Sequence, residues 1–291
     1  LASRAHQENI IPVVQTALQT AQISLSDLDA IAFTQGPGLM GSLTVGTSFA
    51  KALALALDLP LVGVHHMKAH ILAHFIADAS DAAPTFPFLC LTVSGGHTQI
   101  VRINDALDMQ VIGSTIDDAA GEAFDKAAKM LGLPYPGGPL IDQYAALGNP
   151  KAFEFAKPQI KDLDFSFSGL KTSILYTLQA AEKQTPNFRQ DQRDNLCASI
   201  QNSIVSILMA KLEKAVKQTG IQTVVIAGGV SANSELRKRL LAQKEKGWKV
   251  SIPKMSYCTD NAAMIAMAGS FYLAAGHTVG QATAADPRLK W

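Results

Sequence analysis

The chain has 291 residues, of which 48% are hydrophobic and 17% are charged, and its formal net charge is +1. This composition is typical of a folded α/β protein and excludes disorder, and no uninterrupted apolar run approaches the roughly 18–20 residues that cross a bilayer. The near-zero charge neither requires nor forbids a nucleic-acid partner, so any phosphate-binding surface would be a local patch.

Helix and strand patterns alternate over the first 80 residues. The predicted elements are a helix at about 2–21, a strand LDAIAFTQ, a Gly-Pro-Gly turn, a helix at about 42–57, a strand LPLVGV and a histidine-containing helix. The chain opens without methionine, directly in a helical pattern. We therefore expect the opening hairpin of a first lobe to be absent from this chain.

A polar, Ala/Pro-rich connector over about 77–85 predicts a boundary between two lobes, 1–80 and 81–291. The second lobe is predicted to hold three strands, FPFLCLTV, TQIVRI and MQVIGST, a helix at 119–131, a helical insertion at about 139–220, strands TVVIAGG and WKVSIP, and helices at 233–246 and 260–275. This alternation predicts a parallel or mixed sheet with helices on both faces, and the recurring order indicates two duplicated lobes.

Four of the seven histidines fall in one short stretch, as His65, His66, His70 and His74. Residues four apart share one face of a helix, so His66 and His70 can direct two imidazoles at one small volume, as a metal ion requires. The alternative is a set of hydrogen-bonded surface or core histidines. Asp260 opens the last predicted helix; alone it is typical of an N-cap, but as a third ligand it would complete a site of two histidines and one carboxylate.

Four glycine-rich turns follow predicted strands or helices, and such turns let backbone N–H groups approach an anion or a flat ligand. They are GPGLMG from Gly36, SGGHT from Ser94, PGGP from Pro136 and AGGVSAN from Ala227. Asn233, at the end of the last turn, is either an N-cap or a hydrogen-bonding partner of a ligand. Each turn alone is weak evidence, because plain loop punctuation uses the same residues.

Cysteines and basic residues carry less information. Three cysteines, Cys90, Cys197 and Cys258, stand far apart and indicate reduced thiols in a cytosolic protein. A solvated helix face is the ordinary interpretation of a basic cluster. The two candidate phosphate-binding clusters are Arg237, Lys238, Arg239, Lys244, Lys246 and Lys249, and Lys151, Lys157 and Lys161.

Six motifs in register resemble the TsaD family, the tRNA N6-adenosine threonylcarbamoyltransferases, which are related to the catalytic subunit of the KEOPS complex. The motifs are HHMKAH, SGGHT, GEAFDKAAKMLGLPYPGGP, FSFSGLKT, AGGVSAN and CTDNAA, and the resemblance runs from about residue 1 to 275. It implies the ASKHA fold (actin, sugar kinase, Hsp70), with two ribonuclease-H-like lobes and a nucleotide in the cleft. The family's opening strand and hairpin have no counterpart here, so the first lobe would lack its N-terminal strands.

The resemblance also implies a set of site residues. It assigns one divalent metal ion per subunit, Fe(II) with Zn(II) as the alternative, to His66, His70 and Asp260. It assigns the adenylate to the turn from Thr92 through Val93, Ser94, Gly95 and Gly96, and to Asp125, Gly138, Asp142 and Asn233. His97 is a candidate general base on the position of its turn alone.

The implied reaction moves a threonylcarbamoyl group from threonylcarbamoyl-AMP to N6 of the adenosine 3′ of the anticodon in tRNAs that read ANN codons. The implied partners are tRNA and TsaB-like and TsaE-like proteins, in a bacterial cytoplasm and without a membrane. An organellar member, mitochondrial or plastid, would act as a homodimer instead.

Three other functions fit parts of the sequence. A metalloprotease is disfavoured because HMKAH has Met67 where the HExxH motif has its general base. A non-catalytic TsaB-like binding module is disfavoured because all three metal-ligand positions are retained. A sugar or acetate kinase on the same fold would hold Mg²⁺ on carboxylates rather than on a histidine pair.

Overall fold

The computed structural model describes residues 2–79, 82–158 and 160–291. The helices are α1 (Ala2–Ala21), α2 (Met40–Leu57), α3 (His66–Leu72), α4 (Ala120–Met130), α5 (Gly137–Ala145), α6 (Ser168–Glu182), α7 (Phe188–Asp191), α8 (Arg193–Thr219), α9 (Ser234–Ala242) and α10 (Ala262–Ala274). The strands are β1 (Ile31–Gly36), β2 (Leu61–His65), β3 (Phe88–Val93), β4 (Thr98–Ile103), β5 (Met109–Ser114), β6 (Thr223–Ala227) and β7 (Lys249–Ser251).

These elements form two compact units. The first comprises Leu1–Ala77, Ala106–Asp108 and Asn261–Trp291, and the second comprises Asp78–Asp105 and Met109–Asp260. The first boundary lies close to the predicted one at residue 80. The tail from Asn261, however, groups with the first unit rather than with the predicted second lobe 81–291.

The first unit is built on a two-stranded parallel sheet. β1 pairs with β2 in the register Ile31↔Leu61, and these apolar residues pack with Ala50 and Ala54 of α2. α10 returns from the far end of the chain to pack on both strands and on α3. A Cβ added at Gly269 of α10 would lie 2.6 Å from the Cβ of Ala32, so only glycine permits this close approach.

Helix α2 is long and apolar enough to cross a membrane by length and composition alone. The core helix of a water-soluble protein passes the same test, so one such helix is weak evidence for a membrane segment. Leu43, Ala50 and Ala54 are buried, and the helix packs against β1 and α1. Helix α2 therefore buries one face against other elements of the first unit.

The second unit contains a mixed five-stranded sheet of order β5-β4-β3-β6-β7. β3 pairs antiparallel with β4 and parallel with β6, and every residue of β3 is buried. A fully buried strand requires a continuous apolar run, which is the pattern that predicted it. The predicted mixed α/β architecture is confirmed.

The region predicted as a helical insertion at 139–220 contributes to the core of the second unit. Helix α8 spans 27 residues, and its Ile204 and Leu208 share one apolar cluster with Leu89 and Leu91 of β3. No helix or strand is assigned in the described residues between α5 and α6. The helical part of this region is therefore a structural layer of the unit.

Candidate metal and adenylate sites

The four clustered histidines have different surroundings. His65 ends β2 and serves as the N-cap of α3, where its Nδ1 accepts a hydrogen bond of 3.2 Å from the backbone N–H of Met67. His74 is buried in the short 3₁₀ turn that follows α3, and His70 is buried within the helix. His66 and His70 lie one helical turn apart, with ring centroids 4.8 Å apart and planes at 88°.

Asp260 joins this pair. Ligand atoms of His66, His70 and Asp260 all lie within 4.8 Å of one another, which is a group that could hold a metal ion. Asp260 directly precedes Asn261, whose side chain accepts the hydrogen bond that caps α10, and α10 packs against α3. The carboxylate therefore reaches the histidine helix through the start of a neighbouring helix.

The donor set suits a borderline transition-metal ion. Two imidazoles and one carboxylate leave coordination positions open for substrate or water. Ligand atoms about 2.1 Å from a shared ion are at most about 4.2 Å apart. Small side-chain rotations would therefore bring the three groups onto one ion. Asp260 is exposed, whereas His70 is buried.

The SGGHT turn is held in a defined shape by its own residues. The Ser94 N–H donates to the His97 carbonyl at 2.8 Å, and the His97 N–H donates to Ser94 Oγ at 3.1 Å. Gly95 and Gly96 are exposed, and a Cβ added at either would meet nothing within 4 Å. The turn therefore presents open backbone in a fixed conformation.

Two glycines bring other segments against this turn. Gly121, at the start of α4, donates to the Ser94 carbonyl at 3.2 Å, and a Cβ there would lie 2.6 Å from the same oxygen. Gly228 of the AGGVSAN turn has φ +88°, and a Cβ there would lie 2.5 Å from the Val93 carbonyl. The predicted adenylate turns thus contact each other through backbone. The side chains of Thr92 and Val93 are buried.

Asp125 connects α4 to the start of α5. Its Oδ1 accepts hydrogen bonds from the backbone N–H groups of Gly137 at 2.8 Å and Gly138 at 3.2 Å. A Cβ at Gly137 would lie 2.2 Å from that of Ala128, which explains why a glycine stands there. The first N–H groups of a helix lack partners within it, and a carboxylate at this position satisfies them.

Asp142, on α5, binds the start of α9 in the same way that Asp125 binds the start of α5. It accepts hydrogen bonds from the Ser234 hydroxyl at 2.6 Å and from the Ser234 N–H at 3.1 Å, at the start of α9. Asn233 caps the same helix, because its Oδ1 accepts from the Leu236 N–H at 3.0 Å. Its Nδ2 donates to Gln201 Oε1 at 2.7 Å, so the structure shows Asn233 as an N-cap whose amide is also bound by a side chain of α8.

Sequence reasoning missed Gln201. It is 6% exposed and lies on α8, and it fixes the orientation of the Asn233 amide. The available signal was a polar side chain within the apolar run of a long helix, since a buried polar group requires a partner. Its partner lies 32 positions away in sequence, and no local pattern could have identified it.

A cavity of about 470 Å³ adjoins these residues in the second unit. Its lining includes Gly95, Asp125 and Gly137, together with Lys126, Lys129 and Tyr135. Lys126 pairs with Asp118 at 2.8 Å and with Glu122 at 2.9 Å, and the hydrogen bond to Asp118 is the larger cause that raises its pKa. The cavity is large enough for a nucleotide-sized ligand.

Solved structures similar to this chain define its fold. HypF from T. kodakarensis matches with a TM-score of 0.63 at 14% identity, over 87% of this chain and 42% of that one. A full-length HypF in a phosphate- and nucleotide-bound form matches with a TM-score of 0.60 at 15% identity, over 90% and 41%. With the mixed sheet of the second unit, these likenesses define the class as α/β proteins of the ASKHA fold.

The sequence comparisons identify the family. The family model described as TsaD, tRNA N6-adenosine threonylcarbamoyltransferase, matches residues 1–267. The threonylcarbamoyltransferase of Christiangramia forsetii is 61% identical over 270 residues, covering 92% of this chain and 79% of its own length. That of Riemerella anatipestifer is 55% identical over 291 residues, covering 100% and 85%. The chain belongs to the TsaD family, and the predicted resemblance is confirmed.

Family membership establishes the activity at the level of the reaction. The chain is a transferase that acts on tRNA and attaches a threonylcarbamoyl group to N6 of adenosine.

Proposed function

We propose that the chain takes the threonylcarbamoyl group from threonylcarbamoyl-AMP and transfers it to N6 of the adenosine 3′ of the anticodon in tRNAs that read ANN codons. One divalent metal ion, held by His66, His70 and Asp260, would assist this transfer. The observation that supports the metal site is the approach of two imidazoles and one carboxylate to within 4.8 Å, in a member of a tRNA-modifying family.

Fe(II) is the metal we propose, with Zn(II) as the alternative, because two imidazoles and one carboxylate suit both. When bound, such an ion supplies a Lewis acid and an orienting charge. His66 and His70 would hold it from one face of α3. Asp260 would complete the ligand set from the residue before the cap of α10.

The transfer forms a bond between N6 and the carbamoyl carbon and breaks the bond between that carbon and a phosphate oxygen of AMP. AMP leaves with the bonding electrons, and N6 releases one proton. The open backbone of Gly95 and Gly96 would bind the phosphate and stabilise the negative charge that develops on the reacting carbonyl oxygen. His97, in the same turn, is the candidate to accept the proton.

The adenylate would be bound by the second unit. Asn233 has a fixed amide, because Gln201 and the N–H of Leu236 engage both ends of it. Asp125 uses one oxygen to cap α5, which leaves the other for a ribose hydroxyl of the ligand. Asp142 and Gly138 would shape the same site. A prearranged set of donors and acceptors lowers the entropic cost of binding.

For partners and compartment, the proposal follows the bacterial relatives. We expect TsaB-like and TsaE-like proteins to act with this chain in a bacterial cytoplasm. The relatives compared above come from bacteria, which favours this arrangement over an organellar homodimer.

The deciding experiment combines metal analysis with nucleoside mass spectrometry of tRNA. His66→Ala and Asp260→Asn should each lose metal binding by at least about 10- to 100-fold, and the yield of threonylcarbamoyladenosine should fall with it. His277→Ala is the control, because His277 is an exposed histidine of the same unit outside the group. Full metal occupancy in either ligand variant would contradict the three-ligand site.

A further inference from the structure

One side chain of α9 binds the segment that ends at Asp260. Arg237 Nε donates to the Ser231 carbonyl at 2.8 Å, and its Nη2 donates to the Pro253 carbonyl at 2.6 Å. The same Nη2 lies 3.2 Å from Cys258 Sγ. One guanidinium therefore joins three segments: the AGGVSAN turn, the residues just after β7, and the turn before Asp260.

The segment it holds has little regular structure of its own. Between β7 and α10, only the three-residue turn Met255–Tyr257 has a helical assignment. Met255 and Asp260 are exposed, whereas Cys258 is fully buried. Cys258 is two residues from Asp260, so its position keeps the Cα of Asp260 within about 7 Å of its own Cα.

A second tie holds the outer side of this segment. Tyr257 donates its hydroxyl hydrogen to Asp78 Oδ1 at 2.6 Å, and the Lys254 N–H donates to the Ala79 carbonyl at 2.6 Å. Asp78 and Lys254 are exposed and Tyr257 is half-buried, whereas Ala79 is buried. Arg237 is half-buried, and its partners Pro253 and Cys258 are buried, so it holds the side of the segment that faces α9.

At its other end, Arg237 belongs to the helix that carries the adenylate turn. Its backbone N–H donates to the Asn233 carbonyl at 3.1 Å, in the first turn of α9. The start of this helix is fixed by Asp142 and by the Asn233 cap. The helical turn that begins at Asn233 is therefore connected to the segment of Asp260 through the guanidinium of Arg237.

We infer that Arg237 is a positioning residue that sets the place of the Asp260 carboxylate relative to the AGGVSAN turn, and with it the affinity for the metal. This inference rests on the proposed role of Asp260 as a metal ligand. The planar guanidinium supplies donors in a fixed fork, which the single ammonium of lysine cannot reproduce. Because these contacts occupy its guanidinium, we do not expect Arg237 to contribute to the basic cluster considered as a phosphate-binding surface.

The test measures Co(II) affinity of the purified full-length chain by competition with a chromogenic chelator, which requires no activity. Arg237→Lys and Arg237→Met should weaken Co(II) binding by about 10- to 100-fold, the usual effect of losing a partner that orients a ligand. Cys258→Ala keeps the two carbonyl contacts of Arg237 and should weaken binding by only a few-fold.

Arg239→Lys is the matched control. Arg239 lies two residues along the same helix and also joins three partners, Glu235, Ser206 and Asn202. It does not contact the segment of Asp260, so its substitution should lower the melting temperature without changing Co(II) affinity. All affinities are measured at a temperature where each variant is fully folded.

The outcomes separate this inference from the proposed function. Wild-type Co(II) affinity in the folded Arg237 variants would overturn the inference alone. An equal loss in Arg239→Lys would overturn it as well, because the effect would then be a general consequence of loosening α9. A wild-type chain that binds no Co(II) would instead contradict the metal site on which both rest.

Discussion

The two units position their proposed ligand-binding side chains by different means. In the first, His66 and His70 lie on a seven-residue helix whose Met67, Ile71 and Leu72 are buried. In the second, Asp125 and Asp142 are fixed by hydrogen bonds to the starts of neighbouring helices. Apolar packing adapts to small changes of shape, whereas a hydrogen bond is lost when its donor or acceptor is removed. The adenylate side should therefore be the more sensitive to single substitutions.

The largest loss of stability is expected where the AGGVSAN turn packs against the backbone of β3 in the second unit. Gly228→Ala should destabilise the chain by about 3 kcal/mol or more, since a positive φ alone costs about 1–3 kcal/mol and the new Cβ would collide with the Val93 carbonyl. Gly229→Ala is the control, because its Cβ would meet nothing within 4 Å. Urea denaturation measures both, and equal midpoints would show that the two turns can separate freely.

An intermediate effect is expected at the cap of α9. Asp142→Ala removes the acceptor of the Ser234 N–H and hydroxyl, and the loss of a cap costs about 1–2 kcal/mol. AMP affinity should also fall, because the turn that carries Asn233 loosens. Gln143→Ala, at the exposed neighbouring position of α5, should change neither quantity. Equal stabilities of the Asp142→Ala and Gln143→Ala variants would show that the hydrogen bonds of Asp142 do not hold this turn.

The smallest effect concerns Asp117 and acid pH. Burial alone would raise the pKa of this carboxyl, but hydrogen bonds from the Ser166 hydroxyl, the Phe167 N–H and the Ser168 hydroxyl outweigh it and lower the pKa below 3.8. The charged form is therefore favoured in the folded state. Its stabilisation is complete above pH 3.8 and is lost as the pH falls through the lower folded value.

Asp117→Asn measures this contribution directly. Asp117 is exposed, so solvent screening limits the difference from wild type to about 1 kcal/mol at neutral pH. The difference in unfolding free energy should shrink between pH 5 and pH 2. A difference that grows on acidification would contradict the sign of this pKa shift.

Most of the strands could be predicted because their signals are local. β3 is a continuous apolar run between a proline and the SGG turn, and β6 ends at paired glycines. The grouping of α10 with the first unit could not be predicted in this way. That grouping depends on packing against β1 and β2, about 200 positions earlier, and on the close approach that Gly269 allows.

The candidate site likewise has features that local sequence patterns predict and features that they do not. The i, i+4 spacing of His66 and His70 is a local signal, and the structure brings both rings to one place with Asp260. The charges of Arg237 and Arg239 are equally visible in sequence but indicated a solvent-facing cluster. In the structure, Arg237 donates to the Pro253 carbonyl, and Arg239 donates to the Glu235 carboxylate and the Asn202 amide oxygen. The remaining basic residues of the cluster are exposed, namely Lys238, Lys244, Lys246 and Lys249.

The carboxylate of α4 caps α5, and the carboxylate of α5 caps α9. A helix start that donates to a carboxylate of its neighbour is coupled to that neighbour, since unfolding of the neighbour removes the acceptor of its first N–H groups. Local opening should therefore involve these helices together. The amide hydrogens of Gly137 and Ser234, which are 97 positions apart by number, should exchange with solvent in one shared event rather than in two separate ones.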